Sequence, residues 1–291
     1  MKTSDLQRIT RQIIQLPAVP VIVVQLLDLV DDPKTSSGTL AQLLSSDQAL
    51  TAKTLRLANS SYYAFAQPIK TVQLAISLLG YQTVVGLALS LAFTRSFACE
   101  RHEDEFDVMA FWEHSLSVAV AARGLARELN VEAAPALFTM GILHDIGKLI
   151  IHESMYEHYL AIDIRVRLRG EPSYRAERTV MGANHAEIGS WLCESWRLPA
   201  EIGCAVRYHH EPSSGEGEAI CIIHLADFIC NRLGYTWPEA KHAESEFDLV
   251  CKQRLGLQLG DNGDVDWQHY DDLVATEIEK AAEFINIVKA I

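Results

Sequence analysis

The sequence predicts an all-α protein: a helical bundle with an additional N-terminal helical lobe. Three observations carry this. Apolar residues recur at i, i+3 and i+4 along most of the chain, and almost no stretch alternates polar with apolar as a half-buried strand does. Ser, Thr, Asp and Asn stand just ahead of several apolar runs, where a helix needs a side chain to accept its first free N–H groups. Hydrophobic residues make up 49% of the 291 residues, enough to bury a large core in one or two domains.

Residues 1–98 read as the N-terminal lobe. "VPVIVVQLLDLV" (19–30) is rich in β-branched residues, but it follows Pro17 and Pro20 and runs into Leu-Leu-Asp-Leu, so it is expected to be helical. A Pro/Ser/Gly loop comes next, with Thr39 as a candidate N-cap, and Ser46 or Asp47 caps the following helix. Residues 74–93 carry no charge and are long enough to cross a bilayer. Gly80-Tyr-Gln-Thr interrupts them, and two buried helices meeting at Gly80 fit better.

"CERHEDEFD" (99–107) marks a charged boundary, and residues 105–235 form the second lobe. Helices are expected near 109–129, 133–151, 153–168, 173–194, 199–209 and 217–233. A C-terminal extension covers 236–291. Its "GDNGDVD" loop lacks the spacing and closing Glu of an EF-hand, so it reads as solvated.

Lys plus Arg is 25 and Asp plus Glu is 38, a net charge of −13. Such a surface repels phosphate backbones and argues against nonspecific nucleic-acid binding. Six Cys occur without a CxxC pair, and "MKTSDLQRIT" has no apolar signal core, which together suggest a reduced, cytoplasmic protein. The oligomeric state is not readable.

The chemistry-bearing residues sit in apolar surroundings. They are His114 in "FWEHSLSVAV", His144 and Asp145 in "LHDIGKL", His185 in "ANHAEIGSW", His209 and His210 in "YHHEP", and Asp227 in "HLADFICNRLG". A lone His on an apolar face is commonly a satisfied core residue. A buried carboxylate is different, because it costs several kcal/mol unless it is paired or metal-bound. Histidine with carboxylate suits iron, manganese, zinc or cobalt. Two four-coordinate ions sharing one carboxylate need about seven side chains, and seven are present. Adjacent His144 and Asp145 would point about 100° apart on one continuous helix.

"LHDIGKL", with a His upstream and an Asp downstream, resembles the HD superfamily of metal-dependent phosphohydrolases. The order His, His-Asp, His, His-His, Asp is similar to the HD-GYP branch, which hydrolyses cyclic di-GMP, but "PSSGEGEAI" follows "HHE" with no Gly-Tyr-Pro. "LPAVPVIVVQLLDLVDDP", "LAQLLSSDQALTAKTLRLANSSYY" and "AISLLG" resemble the HDOD family, the HD-related output domain of bacterial signalling proteins, over roughly residues 12–235. That resemblance implies an HD-domain-like all-helical fold without a settled activity. Many HDOD proteins have lost the HD residues, whereas this chain keeps them all.

The resemblance further implies two metal ions, iron ahead of manganese or zinc. One would be held by His114, His144, Asp145 and Asp227. The other would be held by His185, His209 and His210, with Asp145 shared. Such cations lower the pKa of bound water toward neutrality. Asp145 and Lys148 are then the candidate catalytic residues, and Arg207 is the best candidate to bind a phosphate-bearing ligand, ahead of Arg175 and Arg178. Each has a plainer reading. Lys148 and Arg207 are also what solvated helix residues look like, His114 and His185 could be core histidines, and the 209–210 pair could cap a helix. His224 reads as a supporting residue, and His102, His152, His158, His242 and His269 read as solvated.

Three classes of function follow. A regulatory module would meet a signalling partner or a small phosphate-containing ligand. A phosphohydrolase would act on a nucleotide or cyclic dinucleotide. An oxidative di-iron site is the third, since some HD proteins look like oxygenases.

Overall fold

The helix Val108–Glu128 (α5) runs through the middle of the molecule and is buried along most of its length. In this computed structural model the described residues are Ile22, Gln25, Leu26, 36–60, 62–96, 106–131, 136–236, 246–260 and 263–289. Asp107 accepts a hydrogen bond from Ala110 N and caps α5. Its run of Ser117, Val118, Ala119, Val120, Ala121 and Ala122 is small enough for neighbouring helices to pack closely.

Ahead of α5 lie Ser37–Ser45 (α1), Gln48–Ala58 (α2), Val72–Leu79 (α3) and Tyr81–Ser96 (α4). The cap of α1 is Ser36 rather than Thr39: the Ser36 hydroxyl accepts from Thr39 N, which puts Thr39 inside the first turn. Asp47 caps α2. α3 and α4 meet at Gly80, as its interruption of the apolar run predicts. No helix among the described residues is long and apolar enough to cross a membrane. Most of 19–30 lies outside the described residues; Ile22, Gln25 and Leu26 are helical.

After α5 come Leu137–Leu143 (α6), Ile146–Ser154 (α7), Tyr156–Arg169 (α8), Ser173–Met181 (α9), His185–Ser195 (α10), Ala200–Tyr208 (α11) and Glu218–Arg232 (α12). Leu249–Arg254 (α13), Trp267–Lys280 (α14) and Ala282–Lys289 (α15) complete the described helices. The fold is all-α. α6, α12, α14 and α15 surround α5, while α10 packs on α7 and α11. The N-terminal helices reach this bundle through α4 on α6 and α15 on α2.

Two expected helices are each divided. Residues 133–151 break at His144–Asp145 into α6 and α7, and 173–194 break at Gly182–Asn184 into α9 and α10. The second break has a local cause. Asn184 and Glu187 form a reciprocal capping box, which starts a new helix at His185. The first is imposed by packing. A Cβ on Gly141 would lie 2.5 Å from the Ala119 backbone, and one on Gly147 would lie 2.0 Å from the His185 carbonyl oxygen. α6 therefore lies flush on α5 and α7 flush on α10, and the chain turns between them. In the 260–266 loop, Gly260 N bonds Asp264 O, and Asp266 caps α14.

Candidate metal centre

The turn at 144–145 removes the 100° divergence that one continuous helix would impose. His144 and Asp145 both point inward, completely or almost completely buried. Their side chains join two groups of donor atoms, each lying within 4.8 Å of one another: His114, His144 and Asp227, and Asp145, His185, His209 and His210. α5 supplies His114, α12 supplies Asp227, α10 supplies His185, and the end of α11 supplies the histidine pair.

The ring nitrogens fix what these groups can do. His114 Nδ1 lies 2.6 Å from the Tyr235 carbonyl, His144 Nδ1 2.7 Å from that of Gly141, and His209 Nδ1 2.7 Å from that of Val206. A carbonyl oxygen only accepts, so each Nδ1 donates, and whenever the ring is neutral its Nε2 presents a lone pair. Yet His114 Nε2 stands 3.3 Å from His144 Nε2, His185 Nε2 3.4 Å from His209 Nε2, and His210 Nε2 2.9 Å from His185 Nε2. Lone pairs converge this way around positive charge. Asp145 Oδ1 is likewise buried and faces the Nε2 atoms of His185 and His209. The converging nitrogens and this oxygen fit a His/carboxylate-ligated transition-metal ion.

Asp145 faces both groups. Its Oδ2 lies 2.6 Å from Lys148 Nζ and 3.4 Å from His144 Nε2, while its Oδ1 lies 3.0 Å from His185 Nε2 and 3.6 Å from His209 Nε2. Burial opposes its ionisation, but the charges of Lys148, His144 and His185 outweigh that and hold the carboxyl well below its usual range. Asp227 Oδ1 lies 3.2 Å from His114 Nε2 and accepts from Asn231 Nδ2, and it too is held low against burial by the histidines. Burial lowers His209 to about 4 and pushes His210 well below its ordinary value. His144 rises despite burial because Asp145 and Asp227 flank it, and His185 rises despite burial because Glu177 and Asp145 do.

Glu177 was not singled out in the sequence. It is buried on α9, accepts from the His185 backbone N–H at 2.6 Å, and lies 2.7 Å from His185 Nδ1. No spacing rule points to it, because it acts across the α9–α10 break. His224 takes a supporting position: Nδ1 lies 2.7 Å from the His209 carbonyl, and Nε2 accepts from Asp248 N. His152, expected to be solvated, is instead buried and stacked on Phe106, because α7 turns that face inward. His158 is half-buried and His269 reaches Glu128; His102 and His242 lie outside the described residues.

Lys148 is 11% exposed and pairs with Asp145. Arg207 lies over Tyr208, 3.7 Å from Glu187, the carboxylate that also pairs with Arg178. Arg175 and Arg178 line a surface cleft of about 310 Å³ that ends on His210.

Fold and site together define an all-helical protein with a buried His/Asp cluster that could hold a metal. The HDOD domain family model matches residues 16–212, and the chain belongs to the HDOD family. An HDOD domain protein of unknown function from Geobacter sulfurreducens superposes with a TM-score of 0.75 at 23% identity, covering 99% of this chain and 98% of that one. A Shewanella amazonensis protein provisionally named a phosphohydrolase gives 0.75 at 23% identity, covering 96% and 97%. Both likenesses carry the fold. By sequence, an uncharacterized Treponema pallidum protein is 23% identical over 69% of this chain and 39% of its own length. Ribonuclease Y of Thermus thermophilus is 30% identical over 40% of this chain and 16% of the enzyme. The chain thus spans well under half the length of these curated relatives.

Proposed function

We propose that this protein is a regulatory HDOD member that retains a binuclear metal centre, with iron as the first expectation and manganese or zinc next. His114, His144 and Asp227 would hold one ion, and His185, His209 and His210 the other, with one oxygen of Asp145 turned to each. The observation that carries this reading is the opposed Nε2 lone pairs, with each Nδ1 of His114, His144 and His209 fixed by a carbonyl. When bound, the ions would supply Lewis-acid chemistry at a phosphoester. The chain's own contribution is to keep Asp145 ionised through Lys148, hold the ring tautomers, and exclude bulk water.

A second reading, metal-dependent phosphohydrolysis, is favoured by the cleft that reaches His210, because it gives a ligand a way in. One experiment addresses both. Metal analysis of protein purified without added metal should give close to two ions per chain. H114A and H209A should each lose one, and D145A both. A well-folded metal-free wild type would overturn both readings. With metal present, activity on a phosphodiester panel that D145A abolishes would select hydrolysis. No activity in either would select the regulatory reading.

A further inference from the structure

His210 differs from the other histidines of the cluster. Among the described residues its Nδ1 has no carbonyl or carboxylate partner. The ring instead stacks on Tyr174, with centroids 4.5 Å apart and planes 14° from parallel. It is the cluster residue that also lines the surface cleft, so the cleft and the donor atoms share one side chain. The other walls carry a mixed charge. Arg175 and Arg178 line it together with Glu211, Glu246 and Asp248, and Arg175 is itself paired with Glu246.

We propose that this cleft binds a small ligand bearing a single phosphoryl group, with the phosphate taken by Arg175 and Arg178 and directed toward His210; this rests on the metal-centre reading above. Both guanidinium groups are within reach of solvent, at 49% and 48% side-chain exposure. Their present partners are Glu246 at 2.5 Å and Glu187 at 3.4 Å. Exposed ion pairs of this kind contribute little, so a phosphate can displace them at little cost. The planar forks match phosphate geometry.

Size and charge then limit the ligand. A volume of about 310 Å³ is at the low end for small-molecule sites, which run from about 300 to 1,000 Å³. A second phosphoryl group would face Glu211, Glu246 and Asp248. Those carboxylates instead suit hydroxyl or amine donors on the rest of the ligand. Polyphosphates, cyclic dinucleotides and nucleic acid are therefore the wrong class.

The test is calorimetric titration of full-length protein, as purified and after chelation, with inorganic phosphate, phenyl phosphate, a phosphoserine peptide and ATP. The double variant R175A/R178A is titrated alongside, with its metal content measured. We expect phenyl phosphate to bind at least tenfold more tightly than ATP, and the double variant to lose at least tenfold in affinity while keeping its metal. Comparable binding of the peptide identifies a phosphorylated protein as the ligand's source; weaker binding identifies a free metabolite. Affinity unchanged in the variant, or ATP binding more tightly than phenyl phosphate, overturns the proposal. Arginine-dependent binding to a wild type without metal would retain the cleft and remove the metal centre. A loaded centre with no phosphate binding would do the reverse.

Discussion

Glu177 holds His185 at two points: one carboxylate oxygen accepts the His185 backbone N–H at 2.6 Å and lies 2.7 Å from Nδ1 of the ring. The first contact satisfies a free amide at the start of α10. The second fixes the ring so that Nε2 faces Asp145 Oδ1 at 3.0 Å.

Glu177→Gln keeps the shape and removes the charge. Carboxylates that orient a metal-bound histidine are commonly worth about 10–100-fold in metal affinity. We expect that loss at the His185 side, with the helical circular-dichroism spectrum unchanged. Competition with a chromophoric chelator measures it, and wild-type affinity in the variant would mean that Glu177 serves only the backbone.

Gly147→Ala places a methyl 2.0 Å from the His185 carbonyl oxygen. Neither partner is a flexible side chain, so α7 and α10 must separate. Overpacking of this kind costs about 1–3 kcal/mol. For a chain of this size each kcal/mol lowers the melting temperature by roughly 1.5–2 °C. A thermal melt shows the loss, and metal content should fall with it because His185 moves away from Asp145. A variant that melts with the wild type would contradict the close approach.

Metal uptake should release protons, increasingly so as the pH is lowered. His144 and His185 are held above their ordinary value, so in metal-free protein they bind protons at a pH where a free imidazole does not. A metal ion needs both neutral, so affinity rises with pH until they are fully deprotonated. His209, lowered to about 4, is already neutral and releases none. Titrating metal into chelated protein in buffers of different ionisation enthalpy gives the proton count. A count of zero at pH 6 would contradict the arrangement.

Helical identity was readable because it is local. Asp47 and Asp107 cap where an acid precedes an apolar run, and Gly80 separates two helices inside an uncharged stretch. The division at Asn184 was also within reach, since Asn-x-x-Glu is a capping signal, although the apolar pattern runs on past it. The division at His144–Asp145 was not. It follows from how closely α6 approaches Ala119 and α7 approaches the His185 carbonyl, and neither partner is near in sequence.

The sequence alone determined the all-helical class, the family resemblance, and which histidines and aspartates sit in apolar surroundings. Residue type and nearest-neighbour spacing suffice for those. The tertiary structure decided that their donor atoms meet, that Asp145 divides its two oxygens between the groups, and that Glu177 and the Tyr235 carbonyl orient rings on other helices. It also decided that His210 joins the cluster to a surface cleft lined by Arg175 and Arg178. Hydrogen bonds and metal donors act over about 3 Å, and distances that short between residues a hundred positions apart are fixed only once the helices have packed.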